Sequence, residues 1–313
     1  MIPKQCKDWW TTLKTVISPN SKNSVPSIDE DGIIISDDME KANVLNDYFR
    51  DQTYIDDTGV ELPNIANYTV QSDLSLIQLT PNEIETVLKS LPIGKAAGPD
   101  GINNRILREL ASELSAPFRS LFNQSLRTGV FPDCWKVSHV CPIHKSGDRS
   151  KPSNYRPVSL LCNPEKSFER VVFKYFYNHL NANKILTSLQ SGFIPGDSTV
   201  NQLTYLYNTF CQALDSGKEV RVVFCDVSKA FDRVWHEGLL LKLEAAGISG
   251  SLLTWFRSYL SEKAEGCASW CSVKLEHHPG WGSARIYLRT ASVLVVYKRH
   301  RRGHRIKYST LRR

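Results

Sequence analysis

One stretch constrains this chain more than any other: Arg221-Val222-Val223-Phe224-Cys225-Asp226-Val227-Ser228-Lys229-Ala230-Phe231-Asp232-Arg233-Val234-Trp235-His236. Val222–Phe224 has the length and β-branched content of a buried strand. It ends at Asp226, and amphipathic helical spacing begins within a few residues. A carboxylate at the C-terminal end of a strand is placed to hold a divalent cation in a cleft. Taken alone, such an Asp is more often an ordinary loop or capping residue.

Length leaves room for two domains, or for one hand-shaped domain with subdomains, in 313 residues. A hydrophobic share of 41% is enough for a core. No apolar run approaches membrane-spanning length, and Met1 to Trp10 lacks a signal-peptide core. The eight cysteines are scattered, which fits an intracellular, reducing compartment, cytoplasmic or nuclear, better than a disulfide framework. The net charge of +7 suggests a nucleic-acid partner, but it is unevenly spread. Residues 262–313 hold 12 Lys and Arg against 3 acidic residues, a net of +9, and the rest hold 27 against 29, a net of −2. The bulk of the chain is not basic.

Residues 1–72 read as a loosely packed lead-in and linker, with a small helix near Trp9-Trp10 and another from Asp38 to Phe49. Thr80-Pro81-Asn82-Glu83 is a helix start, with a capping Thr, Pro at the first position and Glu closing the box. A Gly/Pro loop follows, Gly94-Lys95-Ala96-Ala97-Gly98-Pro99-Asp100-Gly101-Ile102. Helices are expected over about 103–114 and 117–128, stopped by Gly129 and Pro132. Trp135 to Lys145 reads as a strand, Ser146-Gly147-Asp148 as a turn, and Asn154 to Leu161 as the returning strand. Amphipathic helices follow over 164–180, capped by Asn163, and over 199–215. Two short helices, Leu239–Leu243 and Leu252–Leu260, are divided by Gly247 and Gly250.

Several of these stretches together resemble one family. The segment F-x-D-V-x-x-A-F-D-x-V-x-H at 224–236 is similar to the first palm motif of the reverse transcriptases of non-LTR retrotransposons. The loop at 94–102 resembles the G-K-x-x-G-P-D-G-I loop at the start of their fingers. The pair P-I-H-K-S-G-D and N-Y-R-P-V-S-L-L, at 142–148 and 154–161, resembles their fingers hairpin. Gln190-Ser191-Gly192-Phe193 resembles a motif near the template strand. The likeness is continuous from Thr80 to Ser261 and in the right order.

That resemblance implies an α+β fold: the fingers and partial palm of a right-hand polymerase, helix-rich with a fingers hairpin. It divides the chain into a lead-in (1–72), a fingers-like region (73–220), the start of a palm (221–261) and a basic tail (262–313). The implied reaction is RNA-templated DNA synthesis with Mg²⁺ as cofactor, and the implied partners are an RNA template, a DNA primer and deoxynucleoside triphosphates, with no membrane. Asp226 takes the place of a catalytic metal ligand and Phe231 that of the side chain excluding a ribose 2′-hydroxyl. Lys145 and Arg156 would hold the triphosphate, which suits two cations on facing strands, Arg adding forked donors. Asp232 reads as structural. Two rival readings are a non-catalytic nucleic-acid-binding remnant and an unrelated Mg²⁺ phosphohydrolase built on Asp226 and Asp232, which leaves the ordered fingers motifs unexplained.

The likeness stops at Ser261. The family continues with A-G-V-P-Q-G-S and a hairpin carrying an Asp-Asp pair, and neither follows here. One carboxylate cannot clamp two Mg²⁺ ions about 4 Å apart. Cys267, Cys271, His277 and His278 carry little weight as a zinc site, because a shifted frame accounts better for the tail. Back-translated and read one base later, 262–270 can give R-K-Q-R-V-V-L-P-G and 280–290 can give A-G-V-P-Q-G-S-I-L-G-P. Trp270 and Trp281 have one codon each, and both become the glycine that the family keeps there. The last five residues can become R-L-F-A-D. The tail is therefore expected to be an out-of-frame sequence making few long-range contacts, and the chain to be inactive as a polymerase.

Overall fold

The computed structural model describes residues 25–53, 59–62, 65, 68–187, 190–224, 234–261, 263–267 and 276–278. An N-terminal unit comprises the hairpin β1 (Ile28–Glu30) and β2 (Ile33–Ile35), then helix α1 (Asp38–Thr53). Four helices follow: α2 (Pro81–Lys89), α3 (Asn104–Glu109), α4 (Ala111–Thr128) and, after the β3–β4 hairpin, α5 (Asn163–Ala182). Strands β3 (Ser138–His144) and β4 (Tyr155–Leu160) form that hairpin. Next come α6 (Thr199–Asp215), α7 (His236–Ala245) and α8 (Gly250–Leu260), then strands β5 (Lys263–Cys267) and β6 (Glu276–His278).

Helix boundaries follow local chemistry. Thr80 accepts from the Glu83 amide while the Glu83 carboxylate accepts from the Thr80 amide at 3.0 Å, completing the box at the start of α2. α4 ends where Gly129 adopts φ +69°, the left-handed conformation that closes a helix. Pro117, expected to open a helix, lies inside α4, and the break falls earlier, at Leu110. A proline there costs the helix one backbone bond, which the packed face of α4 outweighs. Asn163, expected to cap α5, is instead its first residue, and its side-chain amide donates to the Ile102 carbonyl at 2.7 Å.

The main core lies among α2, α4, α5, α7 and α8. Its centre is aromatic: Phe122 stacks on Phe168 at 4.3 Å, Phe131 lies parallel to Phe168 at 6.2 Å, Trp255 meets Phe168 and Phe131 edge-on, and Tyr259 meets Phe131 edge-on. Two polar tips in this centre find partners, Trp255 Nε1–H on Ser125 Oγ at 3.0 Å and Tyr259 O–H on Glu169.

A second, smaller core corrects the expectation of a loose N-terminal arm. Val25, Ile28, Ala42, Leu45 and Phe49 are buried together with Val140 of β3 and Tyr155 of β4. The short amphipathic α1 cannot bury its face alone; the underside of the β3–β4 hairpin supplies the missing surface. The expected helix near Trp9-Trp10 lies outside the described residues.

Two other expectations change. Val222–Phe224 is not a buried strand: these residues are 45%, 83% and 88% exposed and carry no strand pairing. A strand needs a ladder partner and a covered face, and among the described residues neither lies beside this run. In the tail, β5 pairs parallel with β3 over Ser138–Val140, and β6 pairs antiparallel with β5. The described part of the tail therefore does make long-range contacts, extending the hairpin into a sheet of order β4-β3-β5-β6.

Candidate functional site

The β3–β4 hairpin carries the described residues that the sequence marks for substrate. The register pairs Ile143 with Arg156 and His144 with Tyr155, and the Lys145 amide donates to the Asn154 carbonyl at 2.8 Å. Alternation then sorts the side chains by face. Val140, His144 and Tyr155 take the inner face, toward the second core. Ile143, Lys145 and Arg156 take the outer face, and all three are exposed.

The turn between the strands is cross-tied. Gly147 adopts φ +83°, and a Cβ there would meet the Asn154 side chain at 2.9 Å. Asn154 Nδ2 donates to the Asp148 carbonyl at 2.7 Å, and the Ser150 amide donates to the Asp148 carboxylate at 2.9 Å. The Ser150 bond, with Lys151 and His144 nearby, holds the Asp148 carboxyl below its usual range. Tyr155 O–H donates to the Arg149 carbonyl at 2.7 Å, and the Asp29 amide of β1 donates to the Ser150 carbonyl at 2.9 Å. Lys145, Arg149, Lys151 and Arg156 stand against the single carboxylate of Asp148 within residues 145–156. The side chains of Lys145 and Arg156 have no hydrogen-bond or ion-pair partner among the described residues. A polyanion with several oxygens is the natural complement of two outward, uncommitted cations on a rigid ribbon.

The Gly94–Ile102 loop docks at the base of the same hairpin. A Cβ on Gly98 would lie 2.4 Å from the Leu161 backbone carbon, so only glycine permits this approach. Asn163 holds the Ile102 carbonyl, and Asn104 Nδ2 holds the Pro92 carbonyl at 3.0 Å. Burial pushes the adjacent Cys162 thiol up to about 11, which leaves it protonated and inert. In the Gln190–Phe193 stretch, the Ser191 hydroxyl donates to Gln202 of α6, and Phe193 sits at φ +63° with its ring half exposed.

Asp226, Phe231 and Asp232 lie outside the described residues. Among the described residues no group of three His, Cys, Asp or Glu side chains is placed to hold a metal ion. Reverse transcriptases use divalent metals, and the described side chains do not fit a two-ion site. Sequence reasoning missed Tyr155 and the N-terminal unit behind it. A signal was present in Ala42, Leu45 and Phe49, which share one helical face.

Residues 143–282 match the model of the family Reverse transcriptase (RNA-dependent DNA polymerase), a span that contains the turn, β4 and Asp226. The chain is 35% identical over 176 residues to the probable RNA-directed DNA polymerase from transposon BS of Drosophila melanogaster, covering 56% of this chain and 19% of that protein. It is 31% identical over 223 residues to the corresponding protein from the X-element of the same fly, covering 71% and 24%. It is 34% identical over 173 residues to the RNA-directed DNA polymerase from mobile element jockey, also of that fly, covering 55% and 19%. The chain thus matches about a fifth to a quarter of the length of these relatives. No helix among the described residues is long and apolar enough to cross a membrane. Family match, relatives and the order of the motifs agree, and the chain belongs to the LINE-type reverse transcriptases of non-LTR retrotransposons.

Proposed function

We propose that this chain is the fingers and the start of the palm of an RNA-directed DNA polymerase, competent to grip a deoxynucleoside triphosphate but not to transfer it. The observation that carries the reading is the outward pair Lys145 and Arg156, uncommitted among the described residues, on a braced hairpin in a chain of this family. In the complete reaction a primer 3′-hydroxyl attacks the α-phosphate of the nucleotide, and two Mg²⁺ ions stabilise the attacking and leaving oxygens. Of that machinery this chain supplies the cations for the triphosphate tail. Asp226 is the one metal ligand assigned by family likeness, and Phe231 is the side chain that would crowd a ribose 2′-hydroxyl. One carboxylate does not make a two-ion clamp, and residues 262–313 contain no Asp at all.

The missing Asp-Asp hairpin is best accounted for by a base lost or gained near codon 261. The family match runs past Ser261 to residue 282 and so counts against a break there; codon arithmetic and the absence of Asp from 262–313 support the shifted frame. The exposed Val222–Phe224 run agrees with it, because a first palm strand without its neighbouring hairpin has nothing to pair with. DNA whose codons for Ser283 to Arg285 cannot spell P-Q-G one base later would refute the shifted frame.

Primer extension on an RNA template tests the function. The chain in its present frame should extend nothing. A frame-restored chain, read one base later from codon 262, should extend primers and lose that activity with Asp226→Ala. Extension by the present chain would show that carboxylates elsewhere complete the site. A non-catalytic nucleic-acid-binding remnant predicts instead that the restored chain is silent and that triphosphate does not bind.

A further inference from the structure

We infer that the N-terminal unit, residues 25–53, is a brace that sets the triphosphate grip of the hairpin, with Tyr155 as the positioning residue between them. The inference rests on the functional reading above and extends it to a region outside the family match, which begins at residue 143. Arg156 and Tyr155 are neighbours on β4, and alternation turns them to opposite faces. Arg156 is exposed, whereas Tyr155 is 6% exposed and sits among Ile28, Leu45 and Phe49. The Tyr155 ring also packs edge-on against His144, the residue before Lys145, at 5.4 Å.

Two contacts carry the brace to the turn, and a third ties the N-terminal unit together. The Tyr155 hydroxyl donates to the Arg149 carbonyl at 2.7 Å. The β1 backbone reaches the next carbonyl along, Asp29 N–H to Ser150 O at 2.9 Å. α1 is itself tied to the segment that leads into β1, through Lys41 Nζ on the Val25 carbonyl at 3.0 Å. Lys41 is largely buried and paired with Asp38 at 2.7 Å, so this tie is held from both sides. β5 reaches only Ser138–Val140, so toward the turn the ribbon has just its own two strands, and a two-stranded hairpin in water is marginal on its own. Two cations can grip one triphosphate only if their spacing is fixed before it arrives, because ordering them on binding costs affinity. The second core supplies that order from the face opposite the grip.

The test uses the full chain, a fluorescent deoxynucleoside triphosphate as probe, and amide exchange across residues 145–154. Lys145→Ala and Arg156→Ala report on the grip itself and should weaken binding about tenfold or more, the loss typical of a charged contact. Tyr155→Phe removes only the hydroxyl, and Phe49→Ala empties the second core. Each should weaken binding by roughly three- to tenfold and speed exchange at Lys145, Lys151 and Asn154. Phe49→Leu should restore most of both readouts. Leu126→Ala, in the main core, should lower thermal stability while leaving affinity and turn exchange unchanged; a merely structural role for the second core would make the two cores behave alike. If binding is lost in the Lys145 and Arg156 variants but Tyr155→Phe and Phe49→Ala match the wild type, the brace is overturned alone. If the intact chain binds no triphosphate, the grip and the functional reading fall together.

Discussion

Residues 138–160 form the β3–β4 hairpin, and residues 199–224 form α6 followed by the apolar run Val222–Phe224. In the first stretch Val140 and Tyr155 are buried, and the hairpin is covered from behind by α1. In the second stretch no residue is buried: Leu203, Tyr205, Tyr207 and Leu214 of α6 lie open, as does Val222–Phe224. The local patterns are equally good. What separates the two is the presence of a second surface, since an amphipathic helix or a strand gains stability mainly from what it packs against. The hairpin finds its cover some hundred residues upstream, within the described chain. The 199–224 stretch finds none among the described residues, as the shifted frame proposed above predicts for a palm segment.

The largest contrast should appear on truncating one aromatic in each environment. Phe168→Ala, at the centre of the main core, should cost about 3–5 kcal/mol in denaturant unfolding. Tyr207→Ala, on the open face of α6, should stay within about 0.5 kcal/mol. An equal loss at Tyr207 would break the comparison, because it would mean that the face of α6 is packed in solution.

A smaller effect should follow where backbone meets backbone. Gly98→Ala forces a methyl group against the Leu161 carbonyl carbon, so the Gly94–Ile102 loop must lift from the base of the hairpin, at a cost of about 1–3 kcal/mol. Thermal unfolding should register the loss, and amide exchange should place it at residues 98–102. Gly94→Ala has open space around its Cβ and meets only a φ of +85°, so it should cost about 1 kcal/mol.

The smallest effect concerns pH. Burial pushes the Glu83 carboxyl up, but hydrogen bonds from Tyr175 and Thr80 and the charge of Lys174 outweigh it, so the group sits below its ordinary 4.5. Burial, then the Glu83 bond and charge, raises Tyr175 to about 12, so its proton stays in place to donate. A carboxyl lowered by folding stabilises the fold above its unfolded pKa and loses that contribution as pH falls through the folded value. The stability difference between wild type and Glu83→Gln should therefore be constant above about pH 5 and shrink below it. A difference independent of pH would show that the α2 cap works through shape alone.

Much of the helical framework was legible in the residues. Thr80-Pro81-Asn82-Glu83 announced the start of α2, Gly129 the end of α4, and Ser146-Gly147-Asp148 the hairpin turn, because caps and turns are decided within a few residues. Lys145 and Arg156 were legible as a pair from the two strands that carry them. What stayed hidden depends on partners distant in sequence. Nothing local to Phe49 says that it will meet Tyr155, so the N-terminal unit read as a loose arm. Nothing local to Val222–Phe224 says that no ladder partner lies beside it among the described residues, so it read as a buried strand. Asn163 looked like a cap because its spacing allowed one, but the Ile102 carbonyl claimed its side chain.

The most direct test compares amide exchange at Val222, Val223 and Phe224 in two proteins, the present chain and the frame-restored one. In the present chain these amides should exchange close to the rate of an unstructured peptide. Restoring the frame should slow them by about a hundredfold or more, as a first palm strand acquires a hydrogen-bonded neighbour. Strong protection in the present chain, or equal rates in both, would contradict the account of 199–224 as a palm segment awaiting its partner.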